Sequence, residues 1–179
     1  LQESSLGYAT FQGANLTRAN LNASTGNYTI FDQATLNHVT AHRTQFPGAS
    51  FQDSLGEGTD FTHSNLARTT FLKAQWPNSN FSGSHLAHTN FIGTDLTGAN
   101  FSDISNGGHS ILDKARLADT TWHHANLQGM SFAKSDLRNA SFTRANLINA
   151  NLKGANLKGA KLTSQQLQTA RTSSDTLLP

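Results

Sequence analysis

Residues 142–162 read Phe142-Thr143-Arg144-Ala145-Asn146-Leu147-Ile148-Asn149-Ala150-Asn151-Leu152-Lys153-Gly154-Ala155-Asn156-Leu157-Lys158-Gly159-Ala160-Lys161-Leu162. One rule generates this stretch. A large apolar residue stands at every fifth position, with a small residue two places before it and a polar residue between them. The same spacing runs from Leu6 to Phe101 and, after one extra residue, from Leu112 to Leu162. Of these 31 slots, 28 hold Leu, Phe or Trp, and the exceptions are Gly26, Ala41 and Gly56. All eleven Phe and both Trp fall on the register. The place two residues earlier is Ala, Ser or Thr in 29 of the 31 cases, with Val39 and Met130 departing. The place directly before the large residue is often Asn or Asp, as at Asn15, Asp60, Asn100, Asp136 and Asn156.

A helix would carry such residues about 500° around its axis per repeat and scatter them over its surface. A strand needs a period of two. A chain that turns a corner every five residues satisfies the pattern: the large residue and the small one face inward, and the other three face water. Neither inward residue is buried by its own unit, so units must wind into coils that stack. Phe11, Phe31, Phe51, Phe71 and Phe91 recur at twenty residues, with Phe132 after the extra residue, and are expected on one side. Phe61, Phe81, Phe101, Trp122 and Phe142 are expected on the opposite side.

The runs Ala145-Asn146-Leu147, Ala150-Asn151-Leu152 and Ala155-Asn156-Leu157 resemble the consensus of the pentapeptide-repeat family, over roughly residues 4–164. The resemblance implies an all-β solenoid, a right-handed quadrilateral β-helix with four units per coil. The expected division is 1–162 for a β-helix of about 7–8 coils and 163–179 for a short capping helix and tail. At ~4.8 Å per coil the rod is roughly 37 Å long.

Composition agrees with a small-residue solenoid. Ser, Thr, Asn and Ala supply 77 of the 179 residues, and there is a single Val. That argues against an ordinary sheet built on β-branched side chains. Leu, Ile, Val and Phe make up 38 residues, a low share, yet the net charge of only +2 does not fit a disordered chain. The absence of Cys excludes disulfides and thiolate chemistry. No apolar run reaches the ~18 residues that cross a bilayer. The chain is expected to be soluble, in the cytoplasm or exported after removal of an N-terminal segment. The absence of an N-terminal cap and the start at Leu1 point to upstream sequence.

The extra residue lies between Ser102 and Ile111, beside Asn106-Gly107-Gly108-His109, and reads as a bulge or kinked corner. It is either local repair of a degenerate repeat or a candidate binding loop. Gly26 and Gly56 leave core slots empty, and Leu55 is placed to turn inward beside Gly56. Past Leu162, Thr163 or Ser164 suits a helix N-cap, and Arg171 suits the last turn. The helix would cover the last coil's apolar cross-section.

The pattern offers no site for catalysis. Eight His are spread over the chain, and stepping twenty residues from His63, His85 or His88 never meets another His. A zinc site needs three or four converging ligands. Ser and Thr sit in small inward or variable outward places, with no strained nucleophile turn. The glycines lack phosphate-loop spacing. No cofactor, metal or catalytic residue is expected, and the chain is expected not to be an enzyme.

Charge is uneven. Residues 1–133 carry six Lys/Arg against nine Asp/Glu, whereas residues 134–171 carry seven Lys/Arg against Asp136 alone. Lys134, Arg138, Arg144, Lys153, Lys158 and Lys161 form the candidate interaction surface, for an acidic partner or membrane surface, or as a solvated end that limits association. Arg138 and Lys158, twenty apart, are expected to stack as like charges. Single-stranded nucleic acid needs interleaved surface aromatics, and Phe and Trp all point inward, so nucleic acid is not an expected partner. The expected function is a non-enzymatic scaffold binding an as yet unidentified protein, as a monomer or a weak C-terminal dimer. The resemblance also admits a DNA-mimicking modulator of gyrase, or a β-helical domain of a larger effector or enzyme.

Overall fold

In each unit the large residue occupies position 1, the corner pair positions 2 and 3, the small residue position 4, and the polar residue position 5. The structure, a computed structural model, describes all residues, 1–179. At each corner the N–H of position 4 donates back to the carbonyl of position 1, as from Ala9 to Leu6 at 2.9 Å. Position 3 has a positive φ throughout, the signature of a type II turn. Glycine fills it in nine corners, and 23 others force a non-glycine residue into the left-handed region.

Between corners the chain meets its neighbours in parallel bridges twenty residues apart, such as Ser5 with Thr25 and Asp60 with Asn80. Each bridge is isolated: no side is long enough to form a continuous strand. Three of the four remaining N–H groups have fixed acceptors. Position 1 donates to position 5 of the next coil (Leu6 to Thr25, 2.6 Å), and position 3 to position 2 of the next (Tyr8 to Asn27, 2.9 Å). Position 5 donates to position 4 of the coil before (Thr25 to Ser4, 2.9 Å). Only position 2 has no backbone acceptor. This explains the frequent Asn or Asp at position 5: its side chain accepts from the N–H two residues on, as Asn100 does from Ser102 at 3.0 Å and Asn156 from Lys158 at 3.2 Å. At several corners where position 5 lacks such a side chain, position 2 of the coil before supplies it. Asn22 accepts from His42, Asp32 from Gln52, and Asn37 from Glu57, at 2.9, 3.0 and 3.0 Å.

The interior is a column of apolar side chains. Phe11, Phe31, Phe51, Phe71 and Phe91 stack in sequence, the last pair at 4.8 Å with 13° between planes. Phe61, Phe81, Phe101, Trp122 and Phe142 stack opposite. Both columns meet edge to face, a favourable arrangement of ring quadrupoles. Buried Ser and Thr at position 4 donate to carbonyls within the turns, as Thr29 does to Gly26 at 2.8 Å and Leu6 at 2.9 Å. The indole of Trp76 donates to Ser54 at 2.9 Å. No buried side-chain nitrogen or oxygen lacks a partner.

Gly26 and Gly56 do not leave empty slots. A Cβ on Gly26 would collide with the Phe46 ring, and one on Gly56 with the Trp76 indole, each from one coil later. Large rings therefore lean into the missing side chains' volume. Leu55 does not turn inward; it is 38 % exposed and bridges Thr35 and Gln75.

The extra residue is absorbed at Ser105, an exposed bend, after which bridges skip to 21 residues: His85 with Asn106, Asn90 with Ile111, Asp95 with Arg116. From Ile111 with Ser131 to Asn151 with Arg171 the spacing returns to twenty. Gly107 thus becomes a buried position 1, and the coil after the bend is regular.

Helix α1 spans Ser164–Thr169, with Thr163 as N-cap. Thr163 Oγ1 accepts from the Gln166 N–H at 3.2 Å, and the Gln166 side chain accepts from the Thr163 N–H at 2.7 Å, a capping box. Gln166 Nε2 also donates to the carbonyls of Phe142 and Ala145. Leu162, Leu167 and Ala170 pack against the core. Arg171 lies beyond the helix rather than in its last turn: the chain is again extended there and bridges Asn151, and Leu177 bridges Asn156. No helix is long and apolar enough to cross a membrane.

Candidate functional site

Position in the unit decides where each cation goes. Lys134 and Arg144 stand at position 3, Arg138, Lys153 and Lys158 at position 2, and Lys161 at position 5; all six are exposed. Five of them fall on three successive corners of the last two coils, with Lys161 between corners, so they spread around the C-terminal end instead of forming a single flat patch.

One of the six is paired locally, and a second lies near a carboxylate. Arg138 does not stack on Lys158: its Nε and Nη2 donate to the two carboxylate oxygens of Asp136 at 2.8 and 2.7 Å. The guanidinium's hydrogen bond holds the Asp136 carboxyl below its ordinary range, and the carboxylate in turn raises Arg138. Lys134 faces Asp175, whose carboxyl is lowered chiefly by the Ser173 hydroxyl, then by its own backbone N–H, with Lys134 adding charge. Lys134, Arg144, Lys153, Lys158 and Lys161 form no ion pair.

Arg144 sits between two depressions formed where α1 meets the last coil. One, of about 370 Å³, is lined by Arg144, Leu147, Ile148, Gln165 and Thr169 among others. The other, of about 410 Å³, is lined by Thr143, Arg144, Lys161, Leu162, Thr163 and Gln166. Ile148 is 44 % exposed in the first, so an apolar surface adjoins the free cation of Arg144, and Lys161 lines the second.

Residues 106–109 lie just after the bend. The Asn106 side chain accepts from the Gly108 N–H at 2.9 Å, and Gly107 is buried. His109 is an exposed position-3 residue whose ring stacks on His88, with centroids 5.2 Å apart. Stepping twenty residues from His88 reaches Gly108 and misses this pair, because the extra residue makes the true step 21. Asn106, Gly108 and His109 also border a depression of about 500 Å³ with Gln128, Gly129 and Asn149.

No three His, Cys, Asp or Glu side chains lie close enough to hold a metal ion. His42 approaches Asp60 at 3.5 Å, and His123 Nε2 pairs with the Ser141 hydroxyl at 2.9 Å. The surface is not free of aromatics, contrary to what Phe and Trp alone indicate. Tyr8 and Tyr28 stand outward at position 3 and stack on each other. Their position in the unit, outside the inward slots, is the signal that places them at the surface.

The pentapeptide repeats family matches residues 1–25, 110–147 and 125–163 in eight copies, and the pentapeptide repeat region family matches residues 29–101. Comparison with curated proteins finds no match. Among solved structures, HetL, a pentapeptide repeat protein involved in heterocyst differentiation regulation from the cyanobacterium Nostoc sp. strain PCC 7120, superposes with a TM-score of 0.76 at 22% identity, over 91% of this chain and 74% of HetL. QnrB1, a plasmid-mediated fluoroquinolone resistance protein, superposes with a TM-score of 0.58 at 18% identity, over 95% of this chain and 90% of QnrB1. At these identities the likeness is one of fold. The five-residue register, the twenty-residue bridges and the matches over most of its length place this chain in the pentapeptide-repeat family.

Proposed function

We propose that the chain is a non-enzymatic β-helical scaffold whose outer surface binds another protein, with the cationic C-terminal end as the contact. The observation that carries this is the division of labour within each unit. Positions 1 and 4 are spent on filling the core, so recognition falls to positions 2, 3 and 5, and the largest asymmetry in those columns is the charge of residues 134–171. Arg144, unpaired and beside exposed Ile148, and Lys161, unpaired and sharing the second depression with Arg144, would meet an acidic surface with an apolar element. In this proposal residues 1–162 form a right-handed coil of about eight turns, and residues 163–179 close its end. The isolated chain is a monomer or at most a weak dimer through that end.

The fold likeness to QnrB1 raises topoisomerase modulation as a second possibility. The balance of 13 Lys and Arg against 11 Asp and Glu opposes it. The test of the main proposal is capture from the native host with the tagged chain as bait, quantified against the triple variant Arg144→Glu, Lys153→Glu, Lys161→Glu. A partner lost from the variant supports the cationic end as the contact. A partner retained in full places the contact elsewhere.

A further inference from the structure

Eleven Phe and two Trp are on the inward register, and the two tyrosines alone among the aromatics are off it. Tyr8 and Tyr28 are 78 % and 55 % exposed, with ring centroids 5.6 Å apart and planes 24° from parallel. Their stack is fixed from the C-terminal side. Tyr28 lies over Gly48, where a Cβ would come within 2.6 Å of the ring, so glycine there makes room for it. One face of Tyr8 rests on Tyr28, and the rest of its ring is open to solvent.

Beside Tyr8 lies a depression of about 320 Å³, at the lower end of the ~300–1,000 Å³ range of small-molecule sites. Gly7 leaves it open: a Cβ there would meet only the Asn27 carbonyl, at 3.8 Å. Ser5, Thr25, Asn27 and Gln45 supply its polar side chains. None of these, nor the Tyr8 hydroxyl, forms a side-chain hydrogen bond within the protein. This contrasts with Asn100 and Asn156 farther along the rod, whose side chains are spent on the N–H of position 2. Two hydroxyls and two carboxamides are therefore free, facing one hollow, next to an open aromatic ring.

We propose that this corner binds a neutral saccharide, with Tyr8 as the stacking platform. A pyranose has an apolar C–H face that packs on an aromatic ring and equatorial hydroxyls that pair with amides and hydroxyls. The lining has those complements and no charged residue, so it offers nothing to a phosphate, a carboxylate or an ammonium group. A single-stranded nucleic acid would need cations along its backbone. A proline-rich peptide docks in grooves between aromatic rings, and Tyr8 and Tyr28 close that space by stacking on each other. The site is separate from the cationic end, and neither proposal depends on the other.

The test is titration of the whole chain with cellotetraose, followed by calorimetry and by the shifts of backbone amide signals. Saturable binding with a Kd of ~1 mM or tighter, with shifts centred on Ser5, Thr25 and Asn27, is the expected result. Tyr8→Ala should weaken it at least about tenfold. Tyr8 is exposed, so this variant should melt with the parent. Gly7→Gln, which fills the hollow at a place with room for a side chain, is a second variant and should also abolish binding, whatever Tyr8→Ala does to folding. Lys114→Ala, far along the rod, should bind as the parent does. No saturation with cellotetraose, maltotetraose or chitotetraose up to ~10 mM overturns the proposal. So does binding that Gly7→Gln leaves unchanged, or Tyr8-dependent binding of decaproline in place of the sugars.

Discussion

The sulfur of Met130 occupies the volume that a side chain on Gly107 would need. Gly107 is the position 1 created by the extra residue, and Met130 is one of two departures from the small-residue rule at position 4. Two exceptions to the pattern, 23 residues apart, thus compensate each other across neighbouring coils. The flexible, unbranched Met side chain suits such a gap.

Met130→Ala should therefore open a cavity and cost about 2–5 kcal/mol, the range for truncating a buried aliphatic chain. Gly107→Leu alone should be at least as damaging, because Met130 is in the way. The double variant restores the ordinary unit at both places, and urea denaturation should show it more stable than either single variant. Additive losses would mean the two side chains do not share that volume.

Phe81 lies inside a continuous ring stack, between Phe61 and Phe101. Phe81→Ala should cost about 3–5 kcal/mol. Thr97→Ala, at an outward position 2 whose hydroxyl reaches only Asp95, should cost under ~1 kcal/mol. Equal shifts in thermal melting would contradict the inward and outward assignment.

Corners with a non-glycine position 3 hold backbone strain of about 1–2 kcal/mol each. Lys114, with a φ of 60°, is one of them. Lys114→Gly removes the strain but frees the unfolded chain by about 0.4–1 kcal/mol, so the net gain should be under ~1.5 kcal/mol. Gly98→Ala should do the reverse and more, because its Cβ would also press on Asn78 Oδ1. Chemical denaturation of both variants reads the sign directly.

Acid should release the Asp136–Arg138 pair. The folded-state pKa of Asp136 is depressed, so its contribution to stability is present above the ordinary carboxylate range and is lost as pH falls through the lower folded value. Both side chains are partly exposed, 29% and 55%, so solvent screens the pair and Asp136→Asn should cost less than about 1 kcal/mol at pH 7. Stability curves of the two proteins should converge once pH has fallen below that lowered folded value. A difference that persists there would assign the effect to packing.

Duplex DNA carries one negative charge per ~1.7 Å of axis, so a DNA mimic of ~37 Å should display on the order of 20 anionic positions. The chain has 11 Asp and Glu in total. Gyrase supercoiling in physiological salt should therefore be unaffected at ~10 µM protein, and quinolone inhibition should not be relieved. Half-maximal inhibition in that range would refute this.

The sequence by itself determined the five-residue corner, the inward register of every Phe and Trp, the twenty-residue columns up to Phe101 and the change of structure at Thr163. These follow from local spacing, because which residue faces inward depends only on place within a unit. Tertiary structure decided what depends on the coil above or below. One extra residue at Ser105 shifts the step to 21 and brings His109, not Gly108, onto His88. Phe46 and Trp76 fill the spaces at Gly26 and Gly56, where the sequence alone shows gaps. Arg138 turns to Asp136, two residues back at the end of the preceding unit, rather than standing free over Lys158. The hollow beside Tyr8 needs Ser5, Thr25 and Gln45 in register on three successive coils. Stacking is a long-range relation whose register is set by where the chain absorbs its irregularities, and spacing within a unit does not encode that place.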